Sequence, residues 1–356
     1  SFDAATGQEN WAYVPSMLIP TLNKLAVKPY NHAHFVDGPI HIGNIDISGT
    51  QKTLLVGGLG AGGAGLFALD ITTPGAATEA EVANKVLWEI TPGGSFADLG
   101  YTYAAPLLTR LPNGTPAVIV GNGYLNGGSG RAVLYVINAM TGALISALDT
   151  GSGSTASPNG LSSPALYDLD FDGRPELAYA GDIDGNMWKF NLVTGDVSLV
   201  FATSSTTSGA QAITAAPVVQ AHPEGGQMVV FATGRMLTSG DKSDASVHYV
   251  YGIWDGAPGA NNALLVQTLS ASTHSGGDRV RTASSNAPDW SGGSGHHYGW
   301  KVALPAGEKV VGERPFANAG RYYFLSTNPT IGTSGDNWLH ELVITNGGSP
   351  LEPIYD

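Results

Sequence analysis

The 356-residue chain sets 16 Lys+Arg against 29 Asp+Glu, a formal net charge of −13, and contains 49 glycines and no cysteine. Nucleic acid and anionic membrane are poor partners for such a chain, because either needs a cationic face, and the missing thiols exclude disulfides, thiolate metal sites and a cysteine nucleophile. Only 13% of residues are charged and long Ala/Leu/Glu/Lys stretches are nearly absent, so the chain reads as many short strands joined by turns.

No run of eighteen apolar residues occurs, so no membrane-spanning helix is expected, and no basic-then-apolar leader is seen. Low charge and abundant Gly, Ser and Thr lean toward the cell envelope or exterior.

In chain order, one phrase recurs. It opens as FDAATGQENW (2–11), returns as LFALDITTPG (66–75), and is clearest in LYVINAMTGALI (134–145) and MWKFNLVTGDV (187–197). Weaker copies follow in YGIWDGAPG (251–259), GWKVALPAGEKVV (299–311) and WLHELVITNGG (338–348). Each alternates apolar with polar residues and meets a Gly-bearing turn, and many then resume as an extended run, which is a β-hairpin signature. Upstream of five of them a proline opens another pair of extended segments: Pro39, Pro106, Pro164, Pro217 and Pro315. Proline at a strand start forfeits no ladder hydrogen bond.

About four strands repeated around seven times is the expectation for an all-β, seven-bladed β-propeller, in which radial repetition leaves few exposed edges. We expect residues 1–356 to form one such domain that begins inside a blade. Segments that break the rhythm read as surface insertions: 58–65, 122–130, 239–247 and a flexible Ser/Gly/His-rich stretch from about 270 to 297.

The fourth copy is preceded by DLDFDGRPE, which places Asp168, Asp170, Asp172 and Glu176 within nine residues. Like charges this close need a compensating cation or free access to solvent. Carboxylates at relative positions 1, 3, 5 and 9 with Gly173 at position 6 match what a hard oxygen-seeking cation requires, and the carbonyl of Arg174 at position 7 adds a ligand. The expected ion is Ca2+. The pattern departs from a helix–loop–helix calcium hand, since position 12 is Tyr179 and both flanks read as strands. An acidic solvated turn explains one or two of these Asp but not all four carboxylates. The next motif, GDIDGN (181–186), reads as a hairpin with Asp184-Gly185 in a two-residue turn.

His32, His34 and His41 are spaced so that a metal clip is conceivable, but no clear fourth ligand accompanies them, and packing or loop hydrogen bonding is the expectation. His296 and His297 lie in a Gly-rich loop. No GxSxG elbow, P-loop or HExxH motif occurs, and no catalytic group is nominated. Trp11, Trp88, Trp188, Trp254, Trp300 and Trp338 sit in or beside the repeats, where blade packing accounts for them.

These stretches together, FDAATGQENWAYVPSMLIPTLNKLA, HFVDGP, SSPALYDLDFDGRPELAYAGDIDGNMWKFNL, GWKVALPAGEKVV and GDNWLHEL, resemble the C-terminal propeller of the PilC/PilY family, which is associated with the tip and biogenesis of type IV pili. The resemblance spans nearly the whole chain. It implies a modified seven-bladed propeller without enzymatic activity, Ca2+ bound by Asp168, Asp170, Asp172, Glu176 and the Arg174 carbonyl, and a role in pilus biogenesis, extension and retraction, twitching motility and adhesion. The implied partners are minor pilins at the pilus tip and a host-cell or abiotic surface, with localisation at the cell surface. The Arg-Gly-Asp tripeptide of some relatives is absent. Alternatives are a quinoprotein-like dehydrogenase propeller and a generic glycan- or protein-binding propeller.

Overall fold

The computed structural model describes residues 1–351 except 206, 208–209, 257–262, 274–276, 278, 292–295, 313–314 and 333–334. The end of the fifth phrase (257–259), parts of the 270–297 stretch and the two residues before Pro315 therefore lie outside the described residues.

The chain packs as two compact units, Ser1–Ala178 with Phe190–Val197, and Tyr179–Lys189 with Ser198–Asp356. In the first, an eleven-residue 3-10 helix (Ser16–Ala26) precedes an antiparallel sheet of β1 (Ile40–Ile47), β2 (Thr50–Gly58), β3 (Leu66–Asp70) and β4 (Val86–Ile90). The short helix α1 (Glu79–Ala83) interrupts β3 and β4, capped by the Thr78 hydroxyl, which accepts from the Glu81 amide. A second sheet runs β5 (Leu107–Arg110), β6 (Pro116–Gly121), β7 (Arg131–Asn138) and β8 (Leu144–Gly153) in sequential order. Another sheet, not confined to this unit, contains β9 (Ala165–Tyr167), β10 (Leu177–Gly181), β11 (Asn186–Asn191) and β12 (Val197–Ala202), again each beside its chain neighbour.

In the second unit, β13 (Val218–Ala221), β14 (Gln227–Ala232) and β15 (Tyr249–Asp255) are joined by two later strands. Helix α2 (Ser239–Lys242) lies between β14 and β15. Strand β16 (Leu265–Gln267) pairs parallel with β19 (Gly299–Ala303), which is antiparallel to β15. Within the stretch read as an insertion, β17 (Leu269–Thr273) and β18 (Arg279–Ala283) form an antiparallel pair. The last sheet is β20 (Phe316–Asn318), β21 (Arg321–Asn328) and β22 (Asp336–Val343). Six of the seven phrases thus lie in five of the six sheets among the described residues, the fifth and sixth sharing one, while the first makes only an isolated bridge between Phe2 and Glu9; the sheets are mostly sequential antiparallel meanders as expected of propeller blades.

Local chemistry explains the repetition. Each of the five prolines stands one residue before a first strand, at Ile40, Leu107, Ala165, Val218 and Phe316. The clearest phrases close on one turn. The side-chain oxygen of Asp3, Asn138 or Asn191 accepts from the amides two and three residues on, at 2.8 to 3.0 Å. The turn glycine, Gly7, Gly142 or Gly195, donates its N–H to the carbonyl of that same Asp or Asn. Val343 keeps the backbone half of this pattern, accepting from Gly347 at 2.8 Å, without a side chain to complete it.

Alternation with period two fills the cores. Leu54 and Val56 of β2, Val118 and Val120 of β6, and Tyr135 and Ile137 of β7 lie in one cluster of the first unit. Met228, Val230, Trp300, Val302, Tyr322, Phe324 and Leu342 lie in one cluster of the second. Two tryptophans each dock on a later turn. The Trp88 indole donates to the Ala139 carbonyl at 2.9 Å, and a Cβ on Gly142 (φ +70°) would lie 2.7 Å from its Cγ. Trp300 likewise donates to Ile344 at 2.8 Å, and a Cβ on Gly347 (φ +71°) would lie 2.3 Å from its Cε3. Glycine is required at both places by conformation and by space.

Candidate metal centre

Strands β9 and β10 hold the acidic loop between them. The chain leaves β9 at Tyr167, and Leu177 is already buried at the start of β10, so the nine intervening residues make a short excursion from a fixed base. Glu176 is anchored there, its carbonyl accepting from the Leu192 amide at 2.7 Å.

The loop brings together all four carboxylates predicted from the sequence. Asp168, Asp170, Asp172 and Glu176 each offer an oxygen, and these oxygens lie within 4.8 Å of one another. Among the described residues they are the one grouping of three or more His, Asp or Glu side chains that converges in this way. Hydrogen bonds from the loop's own amides arrange them. Phe171 and Gly173 donate to the two oxygens of Asp168 at 2.7 and 2.6 Å. Asp172 donates to Asp170 at 3.2 Å, Arg174 to Asp172 at 2.8 Å, and Leu169 to Glu176 at 2.8 Å. Gly173 takes the bend at φ +86°.

The loop carries four negative charges against the one positive charge of Arg174. That guanidinium lies 3.9 Å from Asp172 and also donates to the Pro112 carbonyl at 3.3 Å, which ties the loop to the β5–β6 turn. Partial shielding from water acts to raise the Asp168 carboxyl, and the amides of Gly173, Phe171 and Asp172 more than offset it, holding the group below the ordinary carboxylate value. Each carboxylate retains lone pairs beyond those its amide uses. Such an all-oxygen set fits a hard divalent cation, and it leaves Leu169 and Phe171, 47% and 81% exposed, as the alternate residues turned to solvent. Phe171 does this at φ +61°, unusual for a bulky residue and not signalled by the sequence pattern.

The neighbouring GDIDGN segment is a turn, as expected, but a three-residue one. Asp182 donates to the Asn186 carbonyl at 3.0 Å and accepts from Gly185 at 3.2 Å, enclosing Ile183, Asp184 and Gly185. The buried Asp182 carboxylate also accepts from the Asn186 amide at 2.8 Å and the Trp188 indole at 2.8 Å. Asp184, next to that charge, is raised by burial and then by Asp182.

Elsewhere, His32 and His34 stack edge to face at 4.7 Å, and His34 lies 3.7 Å from Asp37 at the surface. Sequence reasoning missed two buried ionic clusters around Glu308 and Lys309, whose partners are remote in the chain.

A family model described as the PilY1 beta-propeller domain matches residues 3–201 and 195–276. A type IV pilus biogenesis factor PilY1 homolog of Xylella fastidiosa is 32% identical over 98% of this chain and 25% of its own length. The type IV pilus biogenesis factor PilY1 of Pseudomonas aeruginosa is 33% identical over 98% of this chain and 34% of its own. The chain thus spans a quarter to a third of these curated relatives. The crystal structure of the Pseudomonas aeruginosa PilY1 C-terminal domain superposes with a TM-score of 0.81 at 30% identity, covering 98% of this chain and 77% of that one.

Proposed function

The chain belongs to the PilY1 β-propeller family, and from that premise we propose that it is a calcium-binding, non-enzymatic C-terminal module of a type IV pilus biogenesis factor. In this reading it acts in pilus extension and retraction, twitching motility and attachment, at the pilus tip or cell surface. Its partners are minor pilins on one side and a host-cell or abiotic surface on the other.

The observation that carries the reading is the convergence of Asp168, Asp170, Asp172 and Glu176 on one point, with the loop amides of Phe171 and Gly173 already bonded to the Asp168 carboxylate. Those four side chains and the Arg174 carbonyl would hold Ca2+, which supplies two positive charges against the four negative ones. Without a cation the four carboxylates repel one another across less than 5 Å, and only the amide bonds and Arg174 oppose that repulsion. Loop order is thereby coupled to ion concentration, which gives the pilus a route to respond to calcium. Calorimetric titration of the chain with CaCl2, before and after exhaustive chelation, tests this. One saturable site that disappears in Asp170→Ala is expected; equal binding by both proteins would refute the site.

A further inference from the structure

Lys309 is 0% exposed, yet it carries an ammonium group that must find acceptors inside the protein. It finds only oxygens. Its Nζ donates to the carbonyl of Asp241 at 2.6 Å and to that of Asp244 at 3.2 Å, and the Asp244 carboxylate lies 3.7 Å away. All three oxygens come from residues 241 and 244, inside the insertion at 239–247 that the repeats leave over and the proposed pilus role does not use. Two of the three ammonium donors meet carbonyls, and the carboxylate at 3.7 Å supplies opposite charge rather than a hydrogen bond. The same kind of oxygen shell surrounds a hard cation in a calcium loop.

Both ends of this tie are fixed. The Lys309 backbone exchanges two hydrogen bonds with Thr327, each 2.9 Å, and Val310 donates to the Thr233 carbonyl at 3.2 Å. On the loop side, the Asp241 carboxylate closes the capping box of α2, accepting from Leu237 and Thr238 at 2.9 and 2.8 Å and from the Arg235 Nε at 2.9 Å. The Asp244 carboxylate accepts from Ser246 and lies 3.2 Å from the His248 Nε2, while the His248 Nδ1 lies 3.2 Å from the Thr233 hydroxyl. The loop therefore curls around one point, and that point is the tip of a lysine.

We propose that Lys309 is a built-in cation, its ammonium filling the place that a metal ion takes in an oxygen-lined loop, so that the segment 239–248 is ordered without metal. The chain then has two loops organised around positive charge, one supplied covalently and one taken from solution. Only the second responds to the surrounding calcium.

Hydrogen exchange of the 356-residue protein, followed by mass spectrometry with and without EGTA, tests this directly. Peptides covering 239–248 should exchange at the same rate in both conditions; faster exchange there on chelation overturns the proposal. Peptides covering 168–176 report separately on the calcium reading, so either idea can fail alone. In Lys309→Met, which keeps the stem and removes the charge, exchange over 239–248 should accelerate by about ten-fold or more while calcium binding stays unchanged. An unchanged rate in the folded variant overturns the proposal. If the variant does not fold, the chelation comparison on the native protein still decides.

Discussion

Glu308 and Lys309 are consecutive in the chain, are 1% and 0% exposed, and their side chains serve different partners among the described residues. Lys309 serves the loop at 239–248. Glu308 accepts from both sides of another cluster: Arg281 donates to its two oxygens at 2.6 and 2.7 Å, and the Ser326 hydroxyl donates at 2.6 Å. His340 lies 3.4 Å from Glu308 and stacks on Phe324 at 4.5 Å. Arg281, from β18, also lies 3.7 Å from the Trp338 ring, and Arg279 reaches Asp336 at 2.6 Å. The β17–β18 hairpin is thus fastened to the last sheet largely by charge.

Removing the Glu308 charge should loosen that fastening in a pH-dependent way. Burial raises this carboxyl, and bonds to His340, Arg281 and Ser326 more than reverse it, so the folded value lies below the unfolded one. The stabilisation is therefore complete above the unfolded carboxylate value, near pH 4.5, and is lost as pH falls through the lower folded value. Glu308→Gln should cost about 3–5 kcal/mol at pH 7, because Arg281 is left buried without its charge partner. Urea midpoints of the two proteins should converge as pH drops toward 3; a constant gap would remove the charge from the explanation.

His222 is the second acid-sensitive point. It stacks on Trp254 at 4.2 Å and meets Trp290 edge-on at 4.8 Å, and burial pushes it down to about 4. A depressed histidine holds its stability above the unfolded value near 6.5 and loses it as pH falls toward 4, where the ring must be protonated inside the aromatic stack. NMR titration of the ring should show a midpoint near 4, and His222→Phe should flatten the stability profile between pH 6.5 and 4. A midpoint near 6.5 would contradict the stacked geometry.

The acidic loop should separate binding from folding. Asp170→Asn removes one charge from an exposed side chain, so thermal stability in chelator should change by less than about 0.5 kcal/mol. Calcium affinity should fall by about ten-fold or more, since the ion loses one of four charged ligands. Calorimetry and thermal melts on the same sample check both halves.

Gly347→Ala should destabilise by about 2–4 kcal/mol, combining a left-handed backbone with a side chain driven into the Trp300 indole. Gly142→Ala should behave alike against Trp88. Gly114→Ala, at φ +83° with open space around its Cβ, isolates the conformational part and should cost less. Chemical denaturation of the three variants orders them.

What could be read from the sequence was what is local. The Asp/Asn-x-x-Thr-Gly turn bonds within itself, a proline one residue before each opening strand needs no partner, and the four carboxylates lie within nine residues. The turn at 183–185 has three residues where Asp-Gly predicts two, because that pair suits both lengths and the buried Asp182 carboxylate accepts from the Asn186 amide across the longer one. The ionic clusters were illegible for a different reason. Arg281 lies 27 residues from Glu308 and Asp241 lies 68 from Lys309, so their pairing exists only once the sheets have formed. Read alone, GEKVV is an unremarkable polar interruption of a strand.

Trp88 and Trp300 carry a lesson for anyone cutting this polypeptide into pieces. Each indole belongs to one sheet and finds both its hydrogen-bond acceptor and its covering surface on the turn of a later one. A fragment trimmed at the borders of the repeating phrase would strip a large ring of its lid and leave a donor unanswered. The smallest piece able to stand alone is therefore longer than the motif that recurs.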